Sequence, residues 1–215
     1  MTTAIAPISN HSPVSGYLAA HGVGMAGTFI KFDGKEGKFV KSQDDTEIPE
    51  GSEYLVVYDQ IQAGWVRFNG KGQAPERKQG AIFDGFIPPP RDTLGDDDST
   101  LWEVGLNGQP QDPWQFQILL PLLSTADDEL YVFQTSSVTG RRACDQVIRM
   151  CGKMQKKEPG DYPVIKLRIS GFEHKDPRVG WIKTPAFDRI GKAPKTDTAL
   201  ADTSRENDFS DSIPL

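Results

Sequence analysis

One helical period set among strand-like runs constrains this chain more than any other feature. Between Thr139 and Lys157 the sequence TGRRACDQVIRMCGKMQKK spaces Ala143, Val147, Met150, Cys151 and Met154 three or four apart, the pattern of a single buried helix stripe. Ser137 or Thr139 caps its start, and Pro159-Gly160 ends it. The other ordered segments read as strands. WQFQILLPLLS and ELYVFQTSS, separated by TADD, read as an antiparallel pair, and YPVIKLRISGF and GWIKTPAFDRI read as two further strands. Nearer the start, GTFIKFDG and GKFVKS flank a Gly-Lys-Glu-Gly turn and predict a hairpin. EYLVVYDQIQAGWVRFNG reads as one long bent strand or two.

If residues 53–69 are the first principal strand, the helix falls between the third and fourth. That is the order of an OB-fold, a five-strand barrel with one helix bridging strands three and four. The expected fold is therefore mainly β with one helix: an OB-fold-like β-barrel with an extra N-terminal hairpin, long loops and disordered termini. Residues 1–26, rich in Ala, Ser, Gly and His without periodicity, form a disordered N-terminal segment in this reading. Residues 27–191 form the OB-like nucleic-acid-binding domain, and residues 192–215 a flexible acidic tail. Within the domain, residues 70–113 are punctuated by Gly, Pro and Asp and predict a long loop region with one short strand near LWEVGL.

A hydrophobic content of 37% with four Trp, eleven Phe and five Tyr excludes a wholly disordered chain. The first residues lack a basic start and an apolar run, and the longest apolar stretch, ILLPLLS, is short and broken by Pro121. A soluble cytoplasmic protein without membrane contact is the expectation. Cys144 and Cys151 lie seven apart on one helix face, about 10 Å along the axis, beyond the reach of a disulfide. His11, His21 and His174 are scattered and no Cys-x-x-Cys occurs, so neither a zinc site nor any other cofactor is expected.

The net charge of -6 conceals an asymmetry. Residues 1–128 hold 9 basic and 18 acidic side chains, residues 129–195 hold 14 and 7, and residues 196–215 hold 1 and 5. A basic section followed by an acidic tail points to a polyanion surface and a tail that competes for it. Strand alternation sorts the side chains of that section. Lys166 and Arg168 share one face of their strand, with Ile165, Leu167 and Ile169 on the core face. In GWVRF, Trp65 pairs with Arg67, leaving Val66 and Phe68 for the core; in GWIKT, Trp181 pairs with Lys183. These six side chains are expected on one continuous exposed surface. Aromatics beside cations on an open sheet face suit single-stranded nucleic acid, whose unstacked bases need flat surfaces and whose backbone needs positive charge. Tyr131 and Phe133 share a face as well and join the candidate site or the core. Arg141 and Arg142 stand at the helix start, where free backbone N–H groups favour phosphate.

An enzyme is not expected. Asp96-Asp97-Asp98 sits in a Gly-Pro-rich loop and reads as solvated rather than metal-binding, and no Gly-Lys-Ser/Thr phosphate loop, His-Glu-x-x-His or Gly-x-Ser-x-Gly occurs. The alternatives are a structural or assembly protein whose aromatic and basic strand faces form a protein interface, and a metal-dependent nucleic-acid enzyme.

The chain ends on DFSDSIPL. This octapeptide resembles the acidic tip of bacterial single-stranded DNA-binding proteins, whose usual form is Asp-Phe-Asp-Asp-Asp-Ile-Pro-Phe. Asp208, Phe209, Asp211, Ile213 and Pro214 match in register; Ser210, Ser212 and Leu215 depart from it. The resemblance implies a non-catalytic, largely sequence-independent single-stranded DNA-binding protein of phage or mobile-element type, acting in replication, recombination or repair. It would work in a bacterial or infected-host cytoplasm. Its tip, ending on the Leu215 carboxylate, would recruit replication and recombination proteins, and homo-oligomers are compatible with this reading.

Overall fold

The computed structural model describes residues 27–68, 73–105 and 108–195. These residues form a mainly β protein with one α-helix. The strands are β1 (Thr28–Asp33), β2 (Lys38–Lys41), β3 (Glu47–Ile48), β4 (Glu53–Val56), β5 (Gln62–Arg67), β6 (Glu76–Ala81), β7 (Trp114–Ser124), β8 (Leu130–Thr135), β9 (Asp161–Glu173) and β10 (Trp181–Pro194). The helix α1 (Val138–Lys157) follows β8. The Ser137 hydroxyl caps it by accepting from the Gly140 N–H at 3.0 Å.

The strands join in the order β10-β9-β4-β7-β8-β1-β2-β3, with β5 and β6 branching from β7. The branch comes from the length of β7. One edge of β7 pairs with β5 along Trp114–Leu119 and with β4 along Leu122–Ser124, while a 3-10 turn at Tyr58–Gln60 separates β4 from β5. Pro121 falls at that interruption, so its missing N–H removes no ladder bond on that edge. The sequence 53–69 is thus two strands on one bent path.

With β4 and β5 taken together as the first strand, the strand order through β10 is fifth, fourth, first, second, third. The edges that a closed barrel would join are β10 and β8. The N-terminal hairpin stands in that gap: β1 runs parallel to β8, and β2 pairs antiparallel with β1. Phe187 of β10 reaches across to Phe133 of β8 at 5.2 Å and Phe39 of β2 at 6.1 Å. The sheet is therefore strongly curled and barrel-like, consistent with an OB-fold carrying an inserted hairpin. Phe39, Ile118, Leu120, Phe133, Ile165 and Leu167 fill the inside of the curl, and α1 adds Cys144, Val147 and Cys151. Met150, expected in the helix stripe, is half-buried, whereas Cys144 is fully enclosed. Burial pushes both thiols up, Cys151 to about 12, which leaves them unreactive packing groups.

Two local expectations are corrected. The described part of LWEVGL, residues 101–105, is not a strand: Leu101 ends a 3-10 turn at Ser99–Leu101, and Val104 makes a single bridge to Pro110. The strand of this region is β6, ERKQGA, which pairs with the open edge of β5. Residues 192–194, expected to open the flexible tail, instead continue β10, because Lys192, Ala193 and Pro194 pair with Pro163, Tyr162 and Asp161 of β9; residues 1–26 and 196–215 lie outside the described residues. No helix among the described residues is long and apolar enough to cross a membrane.

Candidate nucleic-acid interface

β9 and β10 pair from Asp161 opposite Pro194 to Glu173 opposite Trp181, whereas β4 pairs with β9 over Glu53–Leu55 alone, opposite Val164–Lys166. The far end of this two-stranded ribbon projects past its sheet neighbour as an arm. Trp181 stands at its tip with 64% of its surface exposed. Its indole lies across Gly171 so closely that a β-carbon there would collide with the ring, so the glycine sets the ring's seat. Lys183 follows on the same face. Its stem rests on Gly37 and its ammonium donates to the Glu36 carbonyl at 2.8 Å, which ties the arm to the β1–β2 turn. That turn is held by the Asp33 carboxylate, which accepts from the N–H groups of Glu36 and Lys35 at 3.1 and 2.9 Å. Exposed Lys175 and Arg178 lie in the loop between the two strands, Arg178 paired with Asp176 at 2.6 Å.

The expectation of one continuous surface does not hold. Lys183 pairs with Gly171 and Phe187 with Leu167, so Trp181 and Lys183 share the face of the core residues. Lys166 and Arg168 lie on the reverse face, where Lys166 meets Glu53 at 3.5 Å and Arg168 meets Asp188 at 2.7 Å. Alternation assigns faces within a strand, but the register between strands decides which faces coincide, and a shift of one residue exchanges them.

Trp65 and Arg67 form a second group. Trp65 is half-buried beneath the 82–90 loop, donating its indole N–H to the Pro89 carbonyl at 2.9 Å and meeting Phe116 edge-on at 5.2 Å. The Arg141 guanidinium lies 5.8 Å from the centre of the Phe116 ring, and its Nε is enclosed without a hydrogen-bond partner among the described residues. Arg142, its neighbour in the first helical turn, is exposed. Val66 is buried as expected, but Phe68 is 56% exposed because β5 ends at Arg67 and alternation stops there.

Tyr131 and Phe133 belong to the core. Phe133 is fully buried, so no ring face remains open for a base. Tyr131 packs edge-on against Tyr54 at 5.6 Å, and burial with the nearby Asp127 and Glu129 pushes its hydroxyl up to about 12.

Sequence reasoning missed Phe116, which links Trp65 to Arg141; its place two residues from Trp114 in WQFQ was the available signal. It also missed a cleft of about 530 Å³ lined by Arg67, Phe68, Trp102, Asp96, Asp98 and Glu103 among others. The three consecutive aspartates turn to different partners. Asp96 meets Arg67 at 3.3 Å and Trp114 at 3.2 Å, Asp97 meets Arg91 at 3.2 Å, and Asp98 accepts from Thr100 at 2.6 Å. Arg91 also grips Asp112 through two bonds of 2.7 Å. Burial pushes the Asp112 carboxyl up, but Arg91 and the Trp114 N–H outweigh it and hold the group below the usual carboxylate range. The cleft is thus acidic, with Arg67 already neutralised. Among the described residues no three His, Cys, Asp or Glu side chains are grouped to hold a metal ion.

The tip residues Asp208, Phe209, Asp211, Ile213, Pro214 and Leu215 lie outside the described residues. No protein family, curated protein or solved structure matches this chain.

Proposed function

We propose that this protein binds single-stranded DNA without catalysis and largely without sequence preference, in support of DNA replication, recombination or repair. The observation that carries the reading is Trp181, a widely exposed indole on a projecting ribbon beside Lys183, Lys175 and Arg178. An OB-like barrel binds oligonucleotides on its second and third strands and on the loops after its first and fourth strands. In this chain the loop after the fourth strand is the arm tip. Stacking of a base on Trp181 with phosphate near the cations is the chemistry such a ribbon supplies. Trp65, Arg141 and Arg142 would extend the track along the inner face once the 82–90 loop moves aside. The C-terminal tip would recruit replication or recombination proteins through Leu215 and its α-carboxylate, in the manner its resemblance implies.

Tryptophan fluorescence titration with poly-dT at two salt concentrations tests the reading. Quenching on binding and a steep loss of affinity with salt are expected. No binding at low salt overturns it. The acidic cleft favours a second reading, an assembly protein that takes a cationic partner at Trp102 and Glu103. Such a protein would leave oligonucleotide unbound.

A further inference from the structure

Seven valine and leucine side chains of the strands are buried without belonging to the core inside the curl: Val40, Leu55, Val66, Leu119, Leu130, Val132 and Val164, each between 0 and 6% exposed. Strand pairing places most of them in rows on the outer face of the sheet. Leu55 lies opposite Val164 on one side and Leu123 on the other, and Leu123 lies opposite Leu130. A second row joins Pro121, Val132 and Phe29. The first row crosses four strands, roughly 15 Å of sheet, and the second crosses three. α1 packs against the inner side, and the other substantial packing partners of these strands among the described elements are their sheet neighbours and the 3-10 turn at Tyr58–Gln60. An apolar sheet face of this breadth is not left to water in a stable domain.

We infer that residues 1–26 of the same chain dock on this outer face and complete the domain. Two observations select this occupant. The described chain begins at Gly27, whose backbone, at φ +130°, presses so closely on the Leu130 carbonyl that a β-carbon has no room, so residues 1–26 start from the edge of the patch. Those 26 residues also contain no Asp, Glu, Lys or Arg, in a chain that is 25% charged, while carrying Ile5, Ile8, Val14, Tyr17, Leu18 and Val23. A solvated terminus relies on charge to stay in water; this one lacks it and has apolar groups to bury. The C-terminal residues fit the face poorly. Their five acidic side chains would have to be desolvated, and they begin after Lys195, which is held by Tyr58, Tyr162 and Asp59.

The test uses the full chain with p-benzoylphenylalanine in place of Leu123, a half-buried member of the rows. After irradiation, mass spectrometry should find cross-links from position 123 to residues 1–26 within the same molecule. Cross-links to a second copy, to any other segment, or to nothing would overturn the inference. A chain beginning at Gly27 should bind the apolar dye ANS several-fold more strongly than the full chain, and a synthetic peptide of residues 1–26 should reverse the gain. Unchanged dye binding by the folded truncated chain would also overturn it, and the cross-link decides alone if the truncated chain fails to fold.

Discussion

Trp65 and Trp181 share a Gly-Trp-aliphatic-cation context in the sequence, yet their surroundings assign them different work. Trp65 donates to Pro89 and meets Phe116, so truncating it removes packing and leaves a carbonyl without its donor. Trp65→Ala should lower stability by about 2–3 kcal/mol, read as a fall in melting temperature. Trp181 rests on a glycine with its ring largely in water. Trp181→Ala should cost about 1–3 kcal/mol of poly-dT binding and leave the melting temperature nearly unchanged; the reverse pattern for the two residues would refute the assignment. Asp112 gives a prediction in pH. Its carboxyl is held below the usual range, so its contribution is present above the unfolded carboxylate value, about 3.9, and is lost as pH falls through the folded value. Tryptophan emission should change as the 91–113 segment loosens in that acid window, because Trp114 and Trp102 bond to this segment. Asp112→Asn should abolish that transition and cost about 1–2 kcal/mol of stability at neutral pH.

The β9–β10 arm is the element on which the binding proposal rests, and it separates from the barrel in a testable way. Replacing residues 174–180 by Asn-Gly, a two-residue hairpin turn, keeps the ladder up to Glu173 and Trp181 and removes Lys175 and Arg178. The shortened protein should keep its melting temperature and bind poly-dT more weakly, with a salt slope reduced by about one to two, as expected for the loss of up to two phosphate contacts. An unchanged slope would move the DNA track away from the arm. The elements also show how far the sequence could be read. α1 was legible because its side chains carry a clear period, and the β7–β8 pair because two apolar runs flank the TADD turn. β6 was not, since ERKQGA has neither alternation nor β-branched residues; it is a strand because the edge of β5 offers unpaired backbone groups, a tertiary cause invisible locally. The same limit governs the site. Trp181 with Lys183, and Lys166 with Arg168, were sorted correctly within their strands, but their placement on opposite faces follows from the register of Lys183 on Gly171, which the intervening loop sets.

At the scale of the whole molecule, the arm tip and Lys195, the residue before the acidic segment, stand at opposite ends of β10. Trp181 begins the strand; Lys195 follows its last residue. The Lys195 ammonium lies 4.2 Å from the centre of the Tyr58 ring and 4.9 Å from that of Tyr162, and meets Asp59 at 3.3 Å, which fixes the end of the described chain. The length of β10 separates the two points by roughly 40 Å, and 20 residues at full extension span roughly 65 Å. That span exceeds the separation, but screening opposes attraction across it, since the Debye length is about 8 Å at physiological salt. Deleting residues 208–215 should leave the melting temperature unchanged and should not weaken poly-dT binding; at low salt it should strengthen binding, because a tethered acidic competitor is removed, and at physiological salt the difference should vanish. The tip's separate task is tested in the intact chain. Appending one glycine after Leu215 displaces the terminal carboxylate, and should weaken capture of replication or recombination proteins while poly-dT binding stays constant. Leu215→Phe should strengthen capture if the receiving pocket takes an aromatic end group. Equal capture by the glycine-extended, Leu215→Phe and tailless proteins would make the match of DFSDSIPL accidental, and would leave the arm, with Trp181 and its cations, as the sole support for a DNA-binding role.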